Sequence, residues 1–296
     1  MKNPVVICFG EVLWDLLPTG KIAGGAPMNV AYQTNNLGMQ SRMISRVGAD
    51  ALGQSLLSFL QEKGVATDLV QVDSNYPTGV VNVTLDEKGI PSYDIVQPAA
   101  WDHIELSQEM LDAVDHANAL VFGSLSCRSR NSQETLLALI EKAPIRVFDV
   151  NLRQPFYSQE LLETLLPKAN IVKVNDIELG ILAEWYGMEG SESDQMAALQ
   201  KKFGFDRIIV TKGEHGAACF SMAGYSSVPG VSVQVQDTIG SGDAFLSGFL
   251  NQFFAGASDQ ECLRFANALG ALTATKAGGT PNISAAEIQA FLSSNY

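Results

Sequence analysis

Residues 237–250 read Asp-Thr-Ile-Gly-Ser-Gly-Asp-Ala-Phe-Leu-Ser-Gly-Phe-Leu and contain the side chains with the clearest chemistry. Three small residues (Gly240, Ser241 and Gly242) and the acid Asp243 stand where a loop turns into an apolar helix. A helix start has unpaired N–H groups and partial positive charge, so it attracts a phosphate, and glycines let that phosphate approach the backbone. An acid beside such an anion site is suited to take a proton from an attacking hydroxyl group. The segment therefore predicts phosphoryl transfer to an alcohol, with a Gly-rich loop capped by Asp as the structural alternative.

A second segment, distant in the chain, reads Gly24-Gly25-Ala26-Pro27-Met28-Asn29-Val30-Ala31 and is followed by Gly38 and Gly48. Together the two segments resemble both signatures of the PfkB carbohydrate kinase family, the ribokinase-like sugar and nucleoside kinases. Neither pattern has a broken position, and the resemblance extends from Gly10-Glu11 to Gly278-Gly279. It implies an ATP-dependent sugar kinase that forms one domain over residues 1–296.

Composition limits the classes of protein to which the chain can belong. Its 296 residues and 46% hydrophobic content suit one large α/β domain with a sizeable core. The net charge of −13 argues against a nucleic-acid or anionic-membrane surface, because both require basic patches. No apolar run approaches the roughly 18 residues of a membrane span, and the run 5–9 predicts a buried strand rather than a signal peptide. The scattered cysteines are typical of a cytoplasmic protein: Cys8, Cys127, Cys219 and Cys262.

Apolar runs of strand length alternate with amphipathic stretches of helix length along the chain. Strands are predicted over 4–9, 42–47, 118–122, 145–149, 171–174 and 207–211. Helices are predicted over 26–37, 50–63, 131–142, 244–254, 258–276 and 284–293, with Asn131 and Glu134, Ser258 and Glu261, and Ser284 and Glu287 at three of the starts. This alternation predicts an α/β fold, a mostly parallel central sheet with helices on both faces, and ligands at the carboxyl ends of the strands.

One region departs from this alternation and predicts a small separate β-sheet. Residues 78–86 and 91–97 alternate like half-exposed strands joined by 87–90, which is a hairpin pattern. An extra hairpin on the main sheet is the alternative. In the resembled family the small sheet is a lid that closes over the sugar and often pairs with its copy. The resemblance therefore implies a β lid formed from about 12–23 and 78–97, and a homodimer through that lid.

The resemblance also assigns roles in the transfer step. Asp243 is the expected general base, and the ordinary pKa of an Asp, about 4, would keep it ionised at neutral pH. Gly240, Ser241 and Gly242 are expected to offer N–H groups to the transferring phosphoryl group as charge builds on it. Arg153 lies in the run Asp149-Val150-Asn151-Leu152-Arg153 and is expected to bridge sugar and phosphate charge. A surface salt bridge is the structural alternative for Arg153.

The expected sugar-binding residues lie near the N-terminus of the chain, apart from Arg153. Asp15 is implied to accept hydrogen bonds from neighbouring sugar hydroxyls, and Gly24 and Gly25 to allow close approach of the backbone. Asn29 offers both a donor and an acceptor to another pair of hydroxyls. The structural alternatives are a solvated turn acid for Asp15 and a helix-start role for Asn29.

ATP and its metal ions are expected at the ends of the later strands. Asn175 and Glu178 match an Asn-x-x-Glu element that positions Mg²⁺ largely through water, which suits an ion that keeps several waters. The residues expected on the nucleotide side are Thr211, Lys212, Gly213, Gly216, Asn267 and Gly270. Some ribokinase relatives bind K⁺, and the corresponding residues are Asp237, Ile239, Thr273, Lys276, Gly278 and Asn282. Asn282 replaces a frequent serine, so K⁺ dependence stays open. Helix-start, solvated-loop and helix-packing roles are the alternatives for Glu178, for Lys212, and for Asn267 with Gly270.

The leading functional hypothesis is ATP-dependent phosphorylation of D-fructose to fructose 6-phosphate. The choice of sugar rests on the resemblance of Gly10-Glu11 and of the pair Asn151 and Arg153 to fructokinase-like members. 2-Keto-3-deoxygluconate kinase and ribokinase are the alternatives, and a keto acid would need an extra cation near Asp15. A non-catalytic sugar-binding regulator is the alternative of another class, which the retained Asp243 disfavours. A Rossmann dehydrogenase and a P-loop kinase are disfavoured because their glycine motifs do not occur.

Overall fold

Nine strands form the central sheet in the computed structural model, which describes residues 3–17, 20–85 and 91–296. They are β1 (Val5–Phe9), β4 (Gln40–Gly48), β5 (Val70–Asp73), β8 (Ala119–Gly123), β9 (Arg146–Asp149), β10 (Ile171–Asn175), β11 (Arg207–Thr211), β12 (Ala217–Ser221) and β13 (Gly224–Val228). Their order across the sheet is β13-β12-β11-β10-β9-β8-β1-β4-β5. All neighbours from β11 to β5 are parallel, whereas β12 and β13 add an antiparallel edge. The predicted α/β fold with a mostly parallel sheet is confirmed.

Helices cover both faces of this sheet. In chain order they are α1 (Ala26–Asn36), α2 (Ala51–Glu62), α3 (Gln108–Asp115), α4 (Arg130–Ile140), α5 (Gln159–Leu165), α6 (Asp176–Trp185), α7 (Glu192–Phe203), α8 (Ser241–Phe254), α9 (Asp259–Ala274) and α10 (Ala285–Asn295). Alternate side chains of β1 enter two separate cores, Ile7 and Phe9 on one face and Val6 and Cys8 on the other. The first core includes residues of α3 to α7, and the second includes residues of α1, α2, α8 and α9.

The starts of three helices, α4, α9 and α10, can be compared with the capping pairs predicted for them. Ser258 with Glu261, and Ser284 with Glu287, form capping boxes at α9 and α10 as expected. The pairing of Asn131 with Glu134 is wrong, because α4 begins at Arg130 and has no side-chain cap. The Glu134 carboxylate instead accepts a hydrogen bond from the Arg130 guanidinium at 2.7 Å. Across the part of the chain that the structure describes, no helix has the length and apolar character to cross a bilayer.

A separate small sheet contains β2 (Leu13–Leu17), β3 (Gly20–Gly24), β6 (Gly79–Leu85) and β7 (Pro91–Ile95). The strand order is β3-β2-β6-β7, with β2 parallel to β6 and antiparallel pairs at both ends. The prediction of a separate sheet is therefore confirmed, and the alternative of an added hairpin on the main sheet is wrong. Residues 18–19, and the predicted connection 87–90, lie outside the described residues.

Candidate active site

The two sequence signatures meet through a hydrogen bond between Asn29 and Asp243. Asn29 Nδ2 donates to Asp243 Oδ2 at 2.8 Å, although 214 positions separate the two residues. Both side chains are buried, at 4% and 9% exposure, and each lies in the first turn of its helix. Gly25, with φ 116°, is the N-cap of α1, where a side chain would clash with the Glu11 carbonyl oxygen. A glycine at this position therefore lets the start of α1 lie against the end of β1.

The start of α8 forms a cradle of backbone amides that consists of Gly240, Ser241 and Gly242. Gly240 is the N-cap in the left-handed conformation, with φ 75°, and a Cβ there would lie 2.5 Å from Gly279 Cα. No side chain caps this helix, but the Ser241 N–H donates to the Thr238 carbonyl oxygen at 3.2 Å. The N–H groups of Gly240 and Gly242 therefore remain for an anion, and the expectation that Ser241 offers a free N–H is wrong in this structure. Ser241 Oγ is buried and has no partner among the described residues. The cradle and Asp243 thus lie on one helix turn, as expected from the sequence.

The environment of Asp243 changes its acidity from the value expected for an ordinary Asp. Burial, followed by the negative charge of Asp149, raises the pKa of Asp243 to about 6. The hydrogen bond from Asn29 and the charges of Lys173 and Arg153 oppose this rise. The expectation of a pKa of about 4 was wrong because it took no account of burial. Asp243 is still mostly ionised at neutral pH, and a pKa closer to neutrality makes it a stronger base.

Asp15 lies on β2 of the small sheet, where its carboxylate covers Gly24. Its Oδ2 would be 2.5 Å from a Cβ at Gly24, so a side chain at that glycine would displace the acid. Asp15 is half-buried, and burial raises its pKa to about 6 while the charge of Arg153 lowers it. The small sheet therefore presents a carboxylate beside the glycine pair that precedes α1.

Arg153 lies on the open side of the site, in the segment that follows β9. Its side chain is exposed, and Nη1 donates only to the Leu152 carbonyl at 3.2 Å among the described contacts. Its positive charge lowers the pKa of three acids, namely Asp15, Glu11 and Asp243. No ion pair of Arg153 occurs within the described ranges. The surface salt-bridge alternative therefore has no support, and the guanidinium is available to a ligand.

Three buried charged residues near the site, Glu11, Lys173 and Asp149, received no site role from the sequence. Glu11, 3% exposed, has an Oε2 atom without a partner in the described residues, and burial raises its pKa to about 7. Lys173 Nζ forms hydrogen bonds of 2.9 Å with both carboxylate oxygens of Asp149. A lysine at the centre of the apolar strand Ile171–Asn175 is the signal that could have identified this pair, since buried charges are usually paired.

Asn175 and Glu178 form a capping box at the start of α6. Asn175 Oδ1 accepts from the Glu178 N–H, and Glu178 Oε2 accepts from the Asn175 N–H, both at 2.8 Å. Glu178 Oε1 accepts from the Leu152 N–H at 2.8 Å. Each of these oxygens keeps a second lone pair, so the pair can also accept hydrogen bonds from Mg²⁺-bound water molecules, as the role expected from the sequence requires. No cluster of three metal-ligating acids, histidines or cysteines occurs among the residues that the structure describes.

The predicted nucleotide-side turn follows β11, with Thr211 at its end. Gly213 and Gly216 adopt positive φ values of 52° and 90°, which shows why glycines occur at this turn. The Lys212 ammonium group is not free to bind a ligand at this turn, because its Nζ forms an ion pair with Glu192 Oε1 at 3.0 Å. Thr211 Oγ1 lies 3.5 Å from the Val174 carbonyl oxygen and so links the ends of two neighbouring strands.

Asn267 and Gly270 lie on α9, behind the cradle. Asn267 Nδ2 donates to the Pro229 carbonyl at 3.1 Å and to the Tyr296 hydroxyl at 2.7 Å. A Cβ at Gly270 would lie 3.1 Å from the Ser241 carbonyl oxygen. Both residues therefore have packing roles in the structure, and contact with adenine stays a prediction.

The residues predicted for K⁺ come together in two loops beside α8 and α9. Asp237 Oδ1 accepts from the Ile239 N–H at 3.0 Å, and its Oδ2 accepts from the Gly278 N–H at 2.9 Å. Lys276 Nζ donates to the Asn282 carbonyl at 2.9 Å. Thr273 is buried, and its Oγ1 donates to the Leu269 carbonyl at 2.9 Å. The predicted residues thus share one region, but several of their oxygens already accept protein hydrogen bonds.

Comparisons with known proteins agree with this geometry. The family model for pfkB family carbohydrate kinases matches residues 9–286. Fructokinase-1 of Oryza sativa subsp. japonica is 30% identical over 312 residues, covering 95% of this chain and 95% of that protein. A fructokinase with bound ATP from Xylella fastidiosa superposes with a TM-score of 0.85 at 26% identity, covering 98% of each chain. A fructokinase from Vibrio cholerae O395 in a fructose-, ADP- and calcium-bound form gives 0.82 at 26% identity, with 98% and 99% covered. With both signatures joined at Asn29 and Asp243, the chain belongs to the pfkB family of carbohydrate kinases and has their ribokinase-like fold.

Proposed function

We propose that this sugar kinase transfers the γ-phosphoryl group of ATP to D-fructose and releases fructose 6-phosphate and ADP. The observation that carries the proposal is the placement of Asp243 on the first turn of α8, beside an uncapped amide cradle and bonded to Asn29. The fructokinases among its relatives cover almost the whole chain, and this supports fructose as the sugar.

In the proposed reaction, Asp243 takes the proton of the sugar hydroxyl as that oxygen attacks the γ-phosphorus. The bond between the γ-phosphorus and the β,γ-bridging oxygen breaks, and ADP leaves with both electrons of that bond. The N–H groups of Gly240 and Gly242 stabilise the charge on the transferring group, and that of Ser241 joins them only if it leaves the Thr238 carbonyl oxygen. Asn175 and Glu178 would hold Mg²⁺ through water molecules, and the ion would shield the phosphate charges.

The sugar is proposed to lie between the small sheet and the starts of α1 and α8. Asp15 and Asn29 bind its hydroxyl groups, and Gly24 and Gly25 allow the backbone to approach it closely. Arg153, which faces the acids of the site, bridges the sugar and the phosphate. A keto acid would need a second cation, and Arg153 is the one described cation whose charge reaches Asp15. This favours a neutral sugar over 2-keto-3-deoxygluconate.

A coupled assay of ADP release tests the proposed substrate. Fructose, ribose, 2-keto-3-deoxygluconate, mannose and adenosine are compared, each with and without K⁺, and fructose is expected to give the highest kcat/KM. A higher value for ribose or the keto acid would replace fructose with that substrate. If no sugar stimulates ADP release, the chain is a non-catalytic sugar-binding protein. A rate increase with K⁺ would assign that ion to the loops around Asp237 and Gly278.

Two properties of the protein in the cell stay predictions. The small sheet is expected to act as a lid and to pair with its copy in a homodimer, which light scattering after size-exclusion chromatography would detect. A monomer at micromolar concentration would contradict pairing of the lids.

A cytoplasmic location is expected because all four cysteines are free and buried.

The pH dependence of the rate tests the role of Asp243. Because protonation removes the base, kcat/KM for fructose, which reports the pKa values of the free enzyme, is expected to fall as the pH drops through the Asp243 pKa of about 6. The pKa of Asp15 is also raised to about 6, so the fall in kcat/KM is expected to be steeper than that of a single titrating group. A kcat/KM that stays flat down to about pH 5 would contradict a general base with a raised pKa.

A further inference from the structure

A buried ion pair lies directly behind the amide cradle. Lys173 extends from the middle of β10, and its Nζ bonds both oxygens of Asp149 at 2.9 Å, at the end of the neighbouring strand β9. The two side chains are only 7% and 6% exposed. A Cβ at Gly242 would lie 3.4 Å from Lys173 Nζ, so the ammonium group is in contact range of the first turn of α8. A surface role for this pair is therefore excluded by its position.

Stability alone does not explain why Lys173 is buried at this position. Removing two charges from water has a large desolvation cost, and a buried ion pair often stabilises a protein no more than apolar side chains of similar size would. The same face of the strand holds an apolar residue two positions earlier, since Ile171 is fully buried in the second core. The cost is explained if the positive charge has a use where the phosphoryl group would bind. In a chain with a net charge of −13, a phosphate site needs local sources of positive charge.

We propose that Lys173 supplies fixed positive charge to the phosphoryl cradle at Gly240–Gly242, and that Asp149 positions its ammonium group there. The inference rests on the proposed kinase function, because it concerns the same site. The charge of Lys173 complements the backbone N–H groups, which carry only partial charges, and Asp149 is the positioning residue. Asp149 binds the ammonium group and so keeps it from forming an ion pair with the base Asp243.

The charges around Asp243 make the two members of the pair distinguishable. Asp149 raises the pKa of Asp243, whereas Lys173 lowers it. The other groups that face Asp243 are Asn29 from α1, Arg153 after β9, Glu11 after β1, and the Cys8 thiol of β1. None of these four residues is substituted in the variants of the Lys173–Asp149 pair that are compared below. The ammonium group has a charged partner in place, because both carboxylate oxygens of Asp149 accept hydrogen bonds from Lys173 Nζ at 2.9 Å.

The first test compares the acid limb of kcat in three variants at saturating fructose and ATP. Asp149→Asn is expected to move the limb to lower pH, and Lys173→Met to higher pH, each by roughly half a pH unit or more. If Lys173→Met fails to fold, the double variant Asp149→Asn/Lys173→Met replaces it and is compared with Asp149→Asn alone. Removing Lys173 should then move the limb upward again. Any result other than displacements of opposite sign would overturn the inference.

A second test requires no turnover, so it separates this inference from the proposed reaction. Calorimetry compares the affinities for ADP and for a non-hydrolysable ATP analogue. The double variant is expected to lose roughly 10-fold of its preference for the analogue, because a charge near the γ-phosphate is removed. Lys173→Arg, which keeps the charge, should retain most of that preference. An unchanged preference in the double variant would overturn the inference, whereas loss of preference in a protein that phosphorylates no sugar would overturn only the proposed function.

A matched control is provided by the buried ion pair of Arg128 and Asp102. Their side chains are 3% and 6% exposed and lie 2.7 Å apart, so the pair resembles Lys173 and Asp149 in burial and contact. The double variant Arg128→Met/Asp102→Asn should change neither the acid limb nor the nucleotide preference. Equal changes in both double variants would show that the effect of removing Lys173 arises from a general loss of packing, and this result would also overturn the inference.

Discussion

Replacement of Asp243 with Asn is expected to lower kcat by about 10²-fold or more while the KM values for fructose and ATP change by a few-fold at most. Asn has nearly the shape of Asp but cannot accept the hydroxyl proton. The amide oxygen of the new residue can still accept the hydrogen bond from Asn29 Nδ2, which measures 2.8 Å in the structure. Binding should therefore survive while proton transfer is lost.

The measurement is steady-state kinetics with both substrates, followed by the pH profile of the residual rate. The acid limb near the Asp243 pKa of about 6 should disappear in Asp243→Asn, because its titrating group is gone. Glu109→Gln is a matched control, since Glu109 is an exposed acid in the first turn of α3. That variant removes a helix-start charge without touching the site, so kcat should stay near that of the wild type. A kcat of Asp243→Asn close to the wild-type value would remove Asp243 as the base.

The fold was largely predictable because its periodicity is local. Alternating side chains such as Val6 and Ile7 enter opposite cores, which is why the strand β1 reads as a continuous apolar run. Ser258 and Glu261 satisfy each other within three positions, so the start of α9 follows from neighbouring residues. The start of α4 was misplaced because Glu134 had a competing partner, Arg130, at the i−4 position.

The site was predictable only as far as the resemblance reached. No periodicity relates Asn29 to Asp243, and their contact depends on how α1 and α8 pack on the same face of the sheet. Likewise, Glu178 accepts a hydrogen bond from the Leu152 N–H, 26 positions away. The acidity of Asp243 depends on burial and on charges from other strands. These properties belong to the assembled site, and no single segment of the chain determines them.

Replacement of Asp15 with Ala is expected to raise the KM for fructose by roughly 10²-fold, because hydrogen bonds to a charged group are worth about 1.5–3 kcal/mol. Asp15 belongs to the small sheet, and its carboxylate lies over Gly24, beside the proposed sugar site. The proposed ATP site is built from other elements, at the ends of β10 and β11, so the KM for ATP should change little. Initial rates over a matrix of fructose and ATP concentrations separate the two constants.

Two further variants decide whether an effect at Asp15 arises from the sugar contact. Asp15→Asn keeps two hydrogen-bonding groups and loses the charge, so its KM for fructose should lie between those of the wild type and Asp15→Ala. Asp94→Ala removes an exposed acid from β7 of the same sheet and should leave both constants unchanged. Because Asp15 is paired with Ile22 through backbone register, loss of its side chain should also preserve the strand pairing. Equal losses of fructose and ATP affinity in Asp15→Ala would mean that Asp15 maintains the small sheet itself, and the carboxylate would then have no separate role in binding the sugar.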